Sequence, residues 1–179
     1  MESGSKDEIL TCWLIPAEPA RGWFCSLIND LARRLEAPVF EPHVTVYVTK
    51  AASENPAGVL ENALADQKPL RLSISGLDCS EEFTKTLFVE FQPDAILASL
   101  SEKLRFASIS RLEYELKPHL SLLYKRMPAE KKTEVMSSIH LPFSEVDFDL
   151  VKAVISPAKI ESSEDVASWR IVAARQLAK

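Results

Sequence analysis

The chain holds only three histidines, and two of them stand in matching frames: Pro42-His43-Val44-Thr45-Val46 and Pro118-His119-Leu120-Ser121-Leu122. In each frame a His precedes a hydroxyl residue by two positions, with apolar residues between and after. With apolar residues near half of an average composition, a His lands in such a frame by chance about one time in thirty. Two occurrences among three histidines are therefore not an accident of composition. Side chains alternate along a strand, so His43 and Thr45 point to one face while Val44 and Val46 point to the other. His119 and Ser121 stand in the same relation to Leu120 and Leu122. The proline before each His opens a strand that needs no N–H from it.

If the two strands lie side by side, two imidazoles and two hydroxyls converge on one spot. That set suits a tetrahedral anion such as a phosphate diester, with hydroxyls on its oxygens and imidazoles moving protons. An imidazole titrates near neutrality, so one ring can act as base while its twin acts as acid at the same pH. Hydrolysis of a phosphodiester needs that division of labour and no metal. Glu41, on the same face two residues before His43, could complete a His/His/carboxylate metal set. Lys117 takes the equivalent place in the second copy, and a cation beside a metal ion is unfavourable, so no metal or other cofactor is expected.

The motifs His43-Val44-Thr45-Val46 and His119-Leu120-Ser121-Leu122 resemble those of the 2H phosphoesterase superfamily. The wording Pro-His-Val-Thr-Val and Pro-His-Leu-Ser-Leu-Leu-Tyr, ending at Tyr124, is similar to its plant-type and fungal cyclic phosphodiesterases. Trp13 within Thr11-Cys12-Trp13-Leu14-Ile15-Pro16 fits the same branch. The resemblance implies a metal-independent hydrolase opening nucleoside 2',3'-cyclic phosphates to 2'-phosphates, or ADP-ribose 1'',2''-cyclic phosphate to the 1''-phosphate. It implies His43 and His119 as acid and base, Thr45 and Ser121 as phosphate holders, Tyr124 as a further phosphate donor and Trp13 as part of the cleft wall. His119 is assigned as base on water and His43 as acid on the leaving ribose oxygen, although the motifs are too alike to order themselves. Tyr124 lies three residues beyond Ser121, so it reaches the site only if the strand ends or bends there; Lys125, Arg126 and Pro128 favour such an ending. Phe83, in a turn with Thr84 and Lys85, is a candidate to cover a base. Rival functions are an RNA-end 2H phosphoesterase resembling a 2'-5' RNA ligase, and a nucleotide-phosphate-binding module without turnover.

At 179 residues the chain suits one domain with two lobes. A net charge of -5 argues against a stable grip on long nucleic acid, which takes many Lys and Arg on phosphates, and leaves a small-molecule nucleotide cyclic phosphate as partner. Lys50, Lys117, Lys125 and Arg126 lie near the motifs in sequence and offset the acidity locally. Cys12, Cys25 and Cys79 form no pair or metal spacing, consistent with reduced thiols. The polar tail over residues 1–7 is expected to be flexible; with no signal-type or membrane-spanning run, a cytoplasmic monomer is expected.

The positioning elements follow from periodicity. A strand runs from Glu8 to Ile15, and an amphipathic helix from about Pro19 to Leu35 with Phe24, Leu27, Ile28, Leu31 and Leu35 on one face. The first motif strand spans Val39 to Val48, followed by a helix at Ala57 to Asp66 and a strand at Leu70 to Ser75. A strand at Thr86 to Phe91, a helix carrying Ile96, Leu97, Leu100 and Leu104, the second motif strand and a helix from Pro128 to about Ile139 repeat that order. Lys131, Lys132 and Glu134 of this last helix are expected in solvent, with His140 as a helix-end residue. Strands at Val146–Leu150 and Trp169–Ala173 follow, joined by an acidic loop at Glu161–Asp165. Both halves read strand, helix, motif strand, helix, strand. The expected fold is α+β, with two pseudo-symmetric lobes, each an antiparallel sheet with two helices on its outer face, and a cleft between the sheets.

Overall fold

The computed structural model describes residues 7–52 and 54–178. The expected tail at 1–7 lies outside those residues except for Asp7, whose carbonyl accepts the Ala158 N–H at 2.7 Å. In chain order the elements are β1 (Glu8–Pro16), α1 (Ala20–Leu35), β2 (Val44–Lys50), α2 (Pro56–Ala63), β3 (Leu70–Cys79), β4 (Leu87–Phe91), α3 (Ala95–Ala107), β5 (His119–Leu123), α4 (Ala129–Ser137), β6 (Glu145–Pro157), α5 (Ser163–Ala167) and β7 (Arg170–Gln176). The fold is α+β with antiparallel strands throughout, in the order β1-β2-β5-β4-β3-β6-β7, and β6 also pairs with β1. The ladder therefore returns to its starting strand. One lobe is β2-β1-β6-β7 and the other is β5-β4-β3.

The two lobes do not coincide with the two halves of the sequence. Helices α2 and α3 pack against the first lobe, on β7, β6 and β2, while α1 lies mainly on β5 and α4 on β3 of the second. Each lobe thus keeps two helices, as expected, but draws strands and helices from both halves. This exchange ties the lobes together through covalent crossovers as well as through the core.

The duplication can be read in the register. The motif histidines are 76 residues apart (119 − 43). Between β3 and β6, Leu70 pairs with Phe148 and Leu72 with Val146; adding the offset to Leu70 and removing it from Phe148 turns the first pair into the second. Between β2 and β5 the one recorded pair is Val44 with Leu120, a position facing its own counterpart. Such a pair must lie on the pseudo-two-fold axis.

Local signals set the helix ends. Asn55 accepts the Gly58 N–H and Pro56 opens α2, while Asp94 accepts the Leu97 N–H at 2.8 Å to open α3. Helix α1 ends on Glu36 in a left-handed conformation, φ 52°, and the ammonium of Lys125 donates to the Leu35 carbonyl. That contact fastens the residue after Tyr124 to the end of a helix.

Two expectations are corrected. The acidic stretch at 161–165 is not simply a loop: Ser162 accepts the Asp165 N–H and starts the short helix α5. Lys132 is not solvated but 2% exposed, its ammonium donating to the Ser80 carbonyl at 2.8 Å and to Glu81 at 2.6 Å. A polar stretch of sequence concealed a buried, paired ammonium.

Candidate functional site

The axis at Val44–Leu120 explains how the motifs meet. In an antiparallel pair, extending that register by one residue places His43 opposite Ser121 and Thr45 opposite His119, each about 5 Å away at Cβ. All four line one cleft of about 210 Å³, together with Glu82, Thr84, Lys85, Tyr114 and Tyr124.

Each ring is oriented by its own backbone. His43 Nδ1 lies 2.7 Å from the Glu41 carbonyl and His119 Nδ1 lies 2.7 Å from the Lys117 carbonyl. A carbonyl oxygen only accepts, so Nδ1 must carry the hydrogen in both rings. Nε2 is then the nitrogen left for chemistry, as acceptor when the ring is neutral and donor when it is charged.

Aromatic residues stand behind both rings. The Trp13 indole stacks on His43 with centroids 3.8 Å apart and planes 11° from parallel. Phe88 meets His119 edge-on, at 5.6 Å and 73°. Trp13 pairs with Thr45 and Phe88 with Ser121, and a register shift precedes each aromatic, between Cys12 and Trp13 and between Leu87 and Phe88. These are the same bulge in two copies, each bringing an aromatic to the imidazole. Phe88 was not singled out in the sequence; it lies one position short of the 76-residue offset from Trp13, which falls on Val89, so the equivalence shows only in the strand pairing.

The environments nevertheless differ. His43 is 7% exposed, whereas His119 is half-buried. Burial, opposed by the Glu41 carbonyl, pushes the His43 ring down to about 4, with the nearby His119 adding to the shift. His119 is also held below its ordinary value, by burial first and by the charge of Lys85 among lesser causes, but less far. Both rings are neutral at pH 7, and the first proton goes to His119.

The hydroxyls differ as well. Ser121 donates to the Thr84 carbonyl at 2.7 Å, while Thr45 lines the cleft without a recorded partner. The Ser121 hydrogen is engaged with the turn that carries Thr84 and Lys85. Tyr124 follows the last residue of β5, as its role required, and is 4% exposed. It stacks on Phe40 at 3.8 Å, shares a hydrogen bond with Ser121, and burial pushes its phenol pKa upward, so it stays protonated.

Most of the expected residues gather here, with changes of role. Trp13, 5% exposed, supports His43 from behind and does not line the cleft. Phe83 packs against the core, 6.0 Å from the Tyr124 ring, and does not line it either; its neighbours Glu82, Thr84 and Lys85 do. Glu41 is engaged elsewhere, its carboxylate accepting from Arg21 at 2.6 Å and Lys152 at 2.7 Å. Those ion pairs take it out of a His/His/carboxylate set. Lys125 caps α1, Lys117 pairs with Glu115 and Arg126 with Glu161, so the cation in the cleft wall is Lys85. No local pattern announced it.

A family model described as the 2'-5' RNA ligase superfamily matches residues 21–155. The chain is 26% identical over 179 residues to a cyclic phosphodiesterase of Arabidopsis thaliana, with 97% of each covered. The apo structure of E. coli LigT superposes with a TM-score of 0.59 at 16% identity, covering 98% of this chain and 100% of that one. LigT complexed with 3'-AMP gives the same values. A further phosphoesterase structure gives 0.59 at 15% identity, covering 96% of this chain and 99% of that one. These structural likenesses establish a shared fold. No helix among the described residues is long and apolar enough to cross a membrane.

Proposed function

Since the chain belongs to the 2'-5' RNA ligase superfamily, the 2H phosphoesterases, we propose that its cleft hydrolyses cyclic phosphodiesters without a metal. The substrates are nucleoside 2',3'-cyclic phosphates, opened to 2'-phosphates, or ADP-ribose 1'',2''-cyclic phosphate, opened to the 1''-phosphate. The observation that carries this reading is the pair of imidazoles in one cleft, each with Nδ1–H on a carbonyl and Nε2 left over. The Arabidopsis cyclic phosphodiesterase, matched over 97% of its length, supports the same reaction class.

For a 2',3'-cyclic phosphate, Nε2 of neutral His43 takes a proton from water, and the water oxygen bonds to phosphorus. The bond from phosphorus to O3' breaks, its electron pair stays on O3', and O3' takes a proton from charged His119. Thr45 donates to a non-bridging oxygen, and the Tyr124 phenol supplies a second donor by turning its one hydrogen from Ser121 to the ligand. Stabilising the charge of the five-coordinate transition state adds to the proton transfers, which typically contribute about 10²- to 10⁴-fold. This order of base and acid reverses the one assigned from the sequence. The reason is burial: the ring sealed against Trp13 resists charging, and the more open ring accepts a proton.

A second reading, action on an RNA end, is favoured by the description of the matching family. The cleft of about 210 Å³ is smaller than ordinary ligand pockets of roughly 300–1,000 Å³, and the net charge is -5; both favour a mononucleotide. The test offers 2',3'-cyclic AMP, ADP-ribose 1'',2''-cyclic phosphate and an oligonucleotide ending in a cyclic phosphate, all with excess chelator. We expect 2'-AMP or the 1''-phosphate as product and faster turnover of the small substrates. Loss of activity on chelation would overturn the metal-free chemistry, and preference for the oligonucleotide would favour the RNA-end reading. Binding without turnover would make the protein a recognition module.

A further inference from the structure

We propose that Lys85 holds the substrate's phosphate, as the cation that grips the anionic oxygens in the cleft. This rests on the phosphodiester reading of the cleft and adds a residue to it. Lys85 is the only Lys or Arg in the cleft lining, alongside His43, Thr45, His119 and Ser121. It also lines an adjoining cavity of about 450 Å³ that shares His119 with the cleft. Lys85 thus borders both spaces.

Three features fit a ligand better than a structural role. First, the cations around the site are otherwise committed: Arg21 and Lys152 to Glu41, Lys132 to Glu81, Arg126 to Glu161. Among the described residues Lys85 has no such carboxylate partner. Second, its position is fixed without neutralising it, since its ammonium lies 4.4 Å from the centroid of Phe88, the ring that also supports His119. A cation over a ring keeps its charge and its donors. Third, the turn that carries it is tied to the second motif, because Ser121 donates to the carbonyl of adjacent Thr84. Ser121 therefore serves the phosphate partly by holding Lys85 in place, which accounts for its hydrogen being committed to Thr84.

The proposal also fits the neutral rings of the empty cleft, where burial disfavours their charged forms and Lys85 adds to that at His119, with Glu82 opposing it. An arriving anion meets one fixed positive charge, and its own charge then draws a proton onto the histidine pair. The electrostatics are complementary only when the phosphate is present.

The test is binding, so it does not depend on turnover. Calorimetry with inorganic phosphate and with 2'-AMP at pH 7, in chelator, compares wild type, Lys85→Met and Lys85→Arg. The methionine keeps the stem against Phe88 and removes the charge. We expect Lys85→Met to weaken both ligands about tenfold or more, in line with loss of a charge-assisted hydrogen bond, and Lys85→Arg to restore most of the affinity. The His119 ring, followed by NMR, should titrate higher in Lys85→Met, with Glu82 and Glu90 still facing it. Wild-type and Lys85→Met proteins binding phosphate within twofold of each other would overturn the role of Lys85 and leave the reaction intact. Binding that depends on Lys85 with no turnover of any cyclic phosphate would overturn the reaction alone. A wild type that binds neither ligand would overturn both.

Discussion

The two copies of the motif match in sequence frame and register and differ in their surroundings. His43 is sealed at 7% exposure under the face of Trp13, while half-buried His119 meets only the edge of Phe88. The Thr45 hydroxyl has no hydrogen-bond partner among the described residues, whereas Ser121 donates to Thr84. The first copy has a carboxylate, Glu41, two positions before its His, held by Arg21 and Lys152; the second has Lys117 there, and Lys85 nearby. Symmetry of fold brings the groups together, and asymmetry of surroundings sets their proton affinities apart, the basis of the proposed division of labour. A perfectly symmetric pair would hold two rings of equal proton affinity, and neither would be marked as acid or base.

The largest expected effect is on turnover. Removing either ring, as His43→Gln or His119→Gln, should lower kcat by about 10²- to 10⁴-fold, read in steady-state assays on 2',3'-cyclic AMP. The double variant should lose little more, because base and acid act as one unit. Additive losses would break the pairing.

The next effect is on stability. A ring titrating near 4 when folded and at its ordinary 6.5 when unfolded binds more protons in the unfolded chain between those values. Its contribution is complete above pH 6.5 and is lost as pH falls towards 4, a change of roughly 3 kcal/mol. Urea melts across that range should show it, and His43→Gln should flatten it. His119→Gln should flatten it much less, and equal flattening would contradict the difference in burial.

The smallest effect separates the hydroxyls. Thr45→Ala removes the donor proposed for the phosphate and should raise KM for the cyclic nucleotide by roughly tenfold. Ser121→Ala loosens the turn carrying Lys85 and should act on KM less, while lowering the midpoint of thermal unfolding more than Thr45→Ala does. The reverse pattern would mean that both hydroxyls point at the ligand once it is bound.

Much of this was legible in the sequence. The order of strands and helices in both halves, the motif strands and the departure of Tyr124 from strand alternation all follow from local periodicity and from proline and lysine punctuation. The roles of Trp13 and Phe83 were not, since whether an aromatic lines a cleft or backs it depends on which neighbours close over it. Phe88 was hidden because it sits in an apolar run, Leu87-Phe88-Val89, and its meaning comes from a bulge that matches the one in β1. Lys132 shows the converse, a charge in a polar helix whose burial depends on Ser80 and Glu81, some fifty residues earlier in the chain. The exchange of helices between lobes depends on long-range pairing, which no local pattern records.

The central claim is that two imidazoles of unequal proton affinity share one cleft. Nitrogen-15 NMR of both rings in the free protein, followed from pH 8 downward, tests it without relying on turnover. The account expects Nδ1–H tautomers for both rings at pH 7, His119 taking up its proton first and His43 last, near 4. His43 charging before His119, or either ring carrying its hydrogen on Nε2, would contradict it.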